Sequence, residues 1–315
     1  MQIVVSEFME EDILRAGLEG CRITYDPGLV DRRADLLAAL AGADALIVRN
    51  RTRVNAELLA AAPQLRVVGR LGVGLDNIDL EACKARGVAV FPASGANDIS
   101  VAEYVISSAM VLLRGIHAMP SRLAGGDWAR NALMNGREIA GKNLGLIGFG
   151  SIARETALRA LALGMEVTAF DPHLAAEGPH WQLKTGRVQP LPLDALLAGA
   201  DVLSLHVPLT AATRHMIGTE ALARMKPDAI VINAARGGVV DEAALARALR
   251  EGRLAGAALD VFETEPPPAE DTARFQDLGN VILTPHIAGL SQESNRRVSE
   301  VTVASVRKHL LAEAV

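Results

Sequence analysis

Residues Asn143–Asp171 read NLGLIGFGSIARETALRALALGMEVTAFD, and this stretch decides the fold. A short apolar run (Leu144, Leu146, Ile147) ends at Gly148-Phe149-Gly150, a helical pattern follows, and a second apolar run closes on Asp171. Strand, glycine turn, helix and strand in that order form the context in which G-x-G-x-x-G/A acts as a dinucleotide fingerprint. Gly148 lets the chain turn tightly off the strand. Gly150 has no Cβ, so backbone can approach a pyrophosphate while the N–H groups opening the helix face that anion. Ser151 and Ile152 are the first residues of that turn, and Ala153, small like the third glycine, permits close helix–strand packing. Asp171, 21 residues after Gly150, is placed to accept hydrogen bonds from an adenosine ribose. A tight turn that binds nothing would explain the glycines but would leave Asp171 a coincidence. A strand-end Asp pairs with a free 2′-hydroxyl and repels a 2′-phosphate. It is followed by Pro172-His173-Leu174 rather than by Arg or Lys. The expected cofactor is therefore NAD rather than NADP.

Outward from this unit, strand-length apolar runs alternate with helical patterns, the mark of parallel α/β architecture. One set runs 3–5, 22–25, 45–48, 65–71 and 88–91; a second runs 143–147, 166–170, 202–206, 229–233, 256–260 and 281–284. The segment 36–48, LLAALAGADALIV, faintly echoes 194–205, DALLAGADVLSL, which favours two similar halves. The helical pattern of 98–114 lies between the halves and reads as a crossover, and 292–311 forms a last helix beyond the final strand. That tail is expected to return to the first lobe. The expected organisation is a discontinuous substrate domain, residues 1–96 and 291–315, and an NAD domain, residues 97–290.

Composition narrows the class. The 315 residues are 50% hydrophobic and 22% charged, with a formal net charge of −5. No basic cluster points to nucleic acid or a membrane surface. The apolar run 101–113 is interrupted by Glu103 and is too short to span a bilayer. Cys21 and Cys83 form no C-x-x-C and fit buried thiols in a reducing compartment. The acidic start MQIVVSEFMEED reads as a first strand and not as a signal peptide. A cytoplasmic protein without a metal site is expected.

Three segments of the second half place polar groups just beyond strand ends, where open α/β sheets bind ligands. They are VINAARGGVVDEAAL with Arg236, AALDVFETEPPP with Asp260 and Glu265, and NVILTPHIAG with His286. Hydride exchange between NAD and a 2-hydroxy acid needs a cation for the substrate carboxylate, an acid–base group, and a carboxylate to orient that group. Arg236, His286 and Glu265 supply one of each. Singly, each has an ordinary structural explanation; together with the upstream fingerprint they form a catalytic set. Short-chain dehydrogenases fail on residue type, since Tyr25 and Tyr104 have Leu29 and Ser108 four residues on. Zinc alcohol dehydrogenases fail for want of clustered Cys and His ligands.

GLIGFGSIA, INAARGGVVDEAAL, GAALDVFETEPP and LTPHIAG resemble the signature blocks of the D-2-hydroxyacid dehydrogenases, and RLGVGLDNIDLEACKARGVAV resembles their phosphoglycerate dehydrogenase branch. The resemblance spans nearly the whole chain. It implies two Rossmann-like lobes, Arg236 as carboxylate binder, Glu265 as partner and His286 as proton donor. It further implies that backbone N–H groups of Gly72, Val73 and Gly74 hold substrate. Val73, Ser151, Ile152, Val207, Ala234, Ala235, Arg236, Asp260 and His286 are implied as cofactor contacts beside Gly148, Gly150 and Asp171. A homodimer through the nucleotide lobe, with the segment around Trp128 near the partner, is implied in the same way. The 29 residues after His286 leave no regulatory extension of the long phosphoglycerate dehydrogenases, so feedback by serine is not expected.

Arg49, Arg51 and Arg53 in VRNRTRV crowd a segment that faces substrate in that family. With ALMNGREIAGK (132–142) this is similar to the sulfolactate dehydrogenases. Strand alternation would point the three arginines the same way, along one wall. The expected substrate is a D-type 2-hydroxy acid with a second anion on C3, sulfolactate or 3-phosphoglycerate, bound by Arg49 and Arg51. A hydroxypyruvate or glyoxylate reductase is the alternative. From another class, an NAD-sensing corepressor resembles the same family, but such proteins carry disordered extensions that this sequence does not show.

Overall fold

The computed structural model describes residues 1–116, 124–128 and 130–312, without the side chains of 132 and 133. The chain forms two compact units, Met1–Asn97 with Leu290–Val315, and Asp98–Gly289.

The first unit is a five-stranded sheet built from β1 (Gln2–Val5), β2 (Arg22–Tyr25), β3 (Ala45–Val48), β4 (Val67–Arg70) and β5 (Ala89–Pro92). Its order is β2-β1-β3-β4-β5 and every pairing is parallel. Alternation sorts the side chains. Val4, Leu46 and Val68 pack under Leu36, Leu58 and Leu59 on one face, and Ile3, Val5, Ile47 and Val67 pack under Leu14 and Leu18 on the other. The second face is closed by the helix Gln292–Ala312 through Val298, Val303, Val306 and Leu310. Gly69 lets that helix approach, since a Cβ there would lie 2.7 Å from Val306 Cγ2 and 2.8 Å from Thr302 Cγ2. Side-chain caps fix the starts of short helices: Asn55 accepts from Leu58 N–H at 3.1 Å and Asp79 from Ala82 N–H at 2.9 Å.

In the second unit, β6 (Asn143–Ile147), β7 (Glu166–Phe170), β10 (Gln189–Pro190), β11 (Val202–Leu205), β12 (Ile230–Asn233), β13 (Gly256–Leu259) and β14 (Val281–Leu283) form one sheet. Its order is β10-β7-β6-β11-β12-β13-β14, again all parallel. A short antiparallel hairpin, β8 (Gln182–Leu183) with β9 (Gly186–Arg187), precedes β10. The hairpin and β10 are two-residue strands, too short to carry a periodic signal in the sequence. They are anchored by Trp181, which is 1% exposed, stacks on Phe149 at 4.8 Å between ring centroids, and donates to Ala175 O at 2.8 Å.

Both sheets reverse their winding once: between β1 and β3 in the first unit, and between β6 and β11 in the second. Open parallel sheets bind ligands outside the carboxyl ends of strands at such a switch point. Each unit thus has one preferred place for a site. Among the described residues no helix is long and apolar enough to cross a membrane.

Candidate active site

In the second unit the switch point is occupied by the glycine turn. Gly148 sits at φ +86°, and a Cβ there would come within 2.5 Å of the His206 carbonyl oxygen and 2.9 Å of Val207 Cγ1. The turn is therefore closed on the side of β11, and only glycine fits. Around Gly150, which caps the helix Ser151–Ala162, a Cβ would meet nothing within 4 Å. The open side faces the first N–H groups of the helix, including those of Ser151 and Ile152, which is the cradle that a pyrophosphate requires. Asp171 Oδ2 accepts the Phe149 N–H at 2.9 Å, and Oδ1 accepts the His173 N–H at 2.9 Å. The carboxyl group braces the glycine turn from the end of β7, with lone pairs left over for a ribose.

The three polar segments beyond β12, β13 and β14 meet in a chain of contacts within this unit. Asn233 Nδ2 donates to Arg236 O at 2.9 Å while its Oδ1 accepts the Ala235 N–H at 3.1 Å, shaping the loop that holds Ala234, Ala235 and Arg236. Gly237 follows because a Cβ at this position would collide with the Phe262 carbonyl. Phe262 N–H donates to Glu265 Oε1 at 3.1 Å, and Glu265 Oε2 lies 2.7 Å from His286 Nδ1. Burial pushes the Glu265 carboxyl up. The hydrogen bond and charge of His286, the Phe262 N–H and the charge of Arg236 outweigh it and hold the group below the usual glutamate value. The imidazole side chain is 42% exposed, with Nδ1 committed to Glu265.

His286 adopts φ +56°, a left-handed conformation rare outside glycine. Asp260, wholly buried, holds it there. The Asp260 carbonyl accepts the His286 N–H at 2.8 Å, Oδ1 accepts Ile287 N–H at 2.8 Å and Thr284 Oγ1 at 2.6 Å, and Oδ2 accepts Ala288 N–H at 2.8 Å. Tyr104 OH lies 2.7 Å from Thr284 Oγ1 and extends this network to the helix Asp98–Arg114. The family resemblance implies Asp260 as a cofactor contact. In the structure its oxygens organise the histidine loop, and Tyr104 and Thr284 join it without any motif to announce them. His206, after β11, lies 3.0 Å from Ser204 Oγ through Nε2, and burial holds its pKa down to about 4.

The first unit presents a second set of groups beyond the carboxyl ends of β3, at its switch point, and of the neighbouring β4. Gly72, Val73 and Gly74 follow β4, but the Gly72 N–H, expected to hold substrate, already donates to Arg70 O at 2.8 Å. Arg49, Arg51 and Arg53 follow β3, but they do not form one wall. The strand ends at Val48 and the chain bends through 50–52, so alternation no longer applies. Arg49 is directed to Asn295 Oδ1 at 2.7 Å and Phe8 O at 3.3 Å, with its guanidinium over the Phe8 ring. Arg51 pairs with Asp31, and Arg51 and Arg53 line a recess of about 310 Å³ with Arg33 and Glu57. Burial lowers the Arg49 pKa, opposed by the charges of Glu7 and Glu10. Glu7, which carries no sequence signal, accepts three backbone N–H groups of this turn. Among the described residues no group of three His, Cys, Asp or Glu side chains could hold a metal.

Residues 106–288 match the profile of the family described as D-isomer specific 2-hydroxyacid dehydrogenase, NAD binding domain. The chain is 52% identical over 308 residues to the (S)-sulfolactate dehydrogenase of Chromohalobacter salexigens, covering 98% of both chains. It is 41% identical to the hydroxypyruvate reductase of Thermotoga maritima over 88% of each. It is also 44% identical to the D-3-phosphoglycerate dehydrogenase of Mycobacterium tuberculosis, over 90% of this chain but 52% of that protein, about half its length. The structure of a D-lactate dehydrogenase from Aquifex aeolicus, complexed with NAD and lactic acid, is similar with a TM-score of 0.83. That likeness carries 30% identity and covers all of this chain and 96% of the other.

Proposed function

Because the chain belongs to the NAD-dependent D-2-hydroxyacid dehydrogenases, we propose that its substrate is a D-type 2-hydroxy acid carrying a second anion on C3, sulfolactate first and 3-phosphoglycerate second. The label (S) fits D-specificity: sulfur on C3 outranks the carboxyl group, so a D-type arrangement around C2 is named S. The observation that carries the reading is Arg49, a guanidinium at the switch point of the first sheet whose hydrogen bonds go to the neutral acceptors Asn295 Oδ1 and Phe8 O. Such a cation is suited to a sulfonate or phosphate oxygen.

NAD supplies the hydride acceptor for oxidation and, reduced, the donor for reduction. Gly148, Gly150, Ser151 and Ile152 fit its pyrophosphate, Asp171 its adenosine ribose, and Val207, Ala234 and Ala235 its remaining contacts. Arg236 holds the substrate carboxylate. His286 gives a proton to the oxygen at C2 during reduction and removes it during oxidation. Glu265 fixes the imidazole through Nδ1, leaving Nε2 for the substrate. Asp260, Thr284 and Tyr104 hold the histidine loop in place. A homodimer is proposed from the family resemblance. A cytoplasmic location is supported by Cys21 and Cys83, both free thiols.

The test compares kcat/KM for sulfolactate, 3-phosphoglycerate, glycerate and lactate in the wild type, Arg49→Ala and Arg51→Ala. A guanidinium on a sulfonate contributes about 1.5–3 kcal/mol, so Arg49→Ala should lose roughly 10- to 150-fold on the doubly anionic acids and far less on lactate. Arg51, already paired with Asp31, should show the smaller loss. The 41% identity to a hydroxypyruvate reductase favours the second reading. A wild type that prefers glycerate or lactate would select it.

A further inference from the structure

Glu7 lies in the first loop of the chain, just beyond the carboxyl end of β1 and beside the switch point, and is 4% exposed. Its Oε1 accepts the backbone N–H groups of Arg49 at 2.8 Å and Thr52 at 2.9 Å, and its Oε2 accepts that of Arg51 at 3.1 Å. Ser6 Oγ lies 2.9 Å from Thr52 Oγ1. From the other side Asn77 Nδ2 donates to Thr52 O at 2.7 Å and Arg49 O at 3.3 Å. The turn 49–52 is therefore gripped by an acid that takes its N–H groups and an amide that supplies its carbonyls.

An ordinary surface turn needs neither, because water satisfies its polar groups. A buried carboxyl group is costly unless it is fully hydrogen-bonded, and here the bonds all go to main chain. With arginines at 49, 51 and 53, a side-chain ion pair would have been the simpler partner. Glu7 instead binds the backbone of the arginine-bearing residues, and the Arg49 guanidinium keeps its neutral hydrogen-bond acceptors. A preformed cation of this kind loses less entropy when an anion arrives than a side chain on a loose loop.

We propose that Glu7 is a positioning residue for substrate selection: by holding the backbone of Arg49, Arg51 and Thr52 it presents the Arg49 guanidinium, already placed, to the second anion of the substrate. This rests on the doubly anionic reading of the function. It does not make Glu7 a catalytic residue, since Glu7 acts only through the turn.

The decisive variant is Glu7→Gln, which keeps the size and one acceptor oxygen but turns an N–H donor toward the Arg51 N–H. With NAD saturating, kcat and KM are measured for sulfolactate and for lactate, alongside NADH affinity and thermal stability. The expected result is a loss in kcat/KM on sulfolactate at least fivefold larger than on lactate, carried by KM rather than kcat. A scaffold role alone would lower both substrates in proportion, and that outcome overturns the proposal, as does an unchanged selectivity ratio. Asn77→Ala, which releases the same turn from its opposite side, should give the same split. If both variants are recovered only as unfolded protein, Glu7 and Asn77 are core supports and the proposal falls. A wild type with no preference for sulfolactate over lactate would instead refute the substrate reading on which it stands.

Discussion

Glu265 Oε2 lies 2.7 Å from His286 Nδ1, although 21 residues separate the two in the chain. The bond commits Nδ1 to the carboxylate and so distinguishes the two ring nitrogens, a distinction that sets acid–base direction in any histidine site. It also ties a loop after β13 to a loop after β14, so the geometry of the pair depends on the register of two neighbouring strands, with Leu259 opposite Leu283.

His286→Ala should lower kcat roughly 10²- to 10⁴-fold, the usual value of a positioned acid–base group, and leave NADH affinity nearly intact. Steady-state kinetics with a direct NADH titration decides it. Retention of more than about a third of wild-type kcat, under conditions where chemistry limits the rate, removes His286 from the mechanism.

Glu265→Gln should lower kcat less than His286→Ala, because the acid–base group remains while its charged partner at Nδ1 is replaced by a neutral amide. Stability carries an independent sign. Glu265 is held below its usual value in the fold, so its contribution is present above that value and is lost as pH falls through the folded one. The variant should therefore lose less stability on acidification than the wild type.

Asp171→Ala should weaken NAD by about 1.5–3 kcal/mol, or roughly 10- to 150-fold, and NADP by less, since a repulsion is removed with the carboxylate. The Asp171 bond to Phe149 N–H adds a second expectation: the glycine turn loses a brace, and part of the loss is shared by both cofactors. Equal losses on both would reduce Asp171 to that brace.

His206 is neutral in the fold until about pH 4 but binds a proton near pH 6.5 once unfolded. Unfolding therefore takes up a proton between these values, and stability falls as pH drops from 6.5 toward 4, by on the order of 3 kcal/mol across the window. His206→Gln, which cannot be protonated, should flatten that limb when denaturation is followed at pH 7 and pH 4.5. An unchanged slope would show that the fall comes from other groups.

Gly69→Ala tests how the C-terminal helix is seated. The added methyl would press on Val306 and Thr302, and overpacking of this kind costs about 1–3 kcal/mol. A lowered denaturation midpoint is expected, with NADH affinity unchanged, since the contact lies within the first unit.

The fingerprint at 148–153, the alternation of strands and helices, and the residue types at 236, 265 and 286 were all legible in the sequence, because each rests on local rules. A turn needs glycine where φ is positive, a buried parallel strand needs a run of apolar residues, and an acid–base group needs a titratable side chain at a strand end. Hairpin β8–β9 and β10 escaped because two residues carry no period. The direction of Arg49 against Arg51 and Arg53 escaped for another reason. Alternation holds only while the strand lasts, and β3 stops at Val48, where Glu7 and Asn77 capture the backbone. Which oxygens of Asp260 serve His286 and which acid grips the arginine turn are contacts between residues tens apart in the chain. They are set by packing and by the need to satisfy buried polar groups, and only the folded chain brings those partners together.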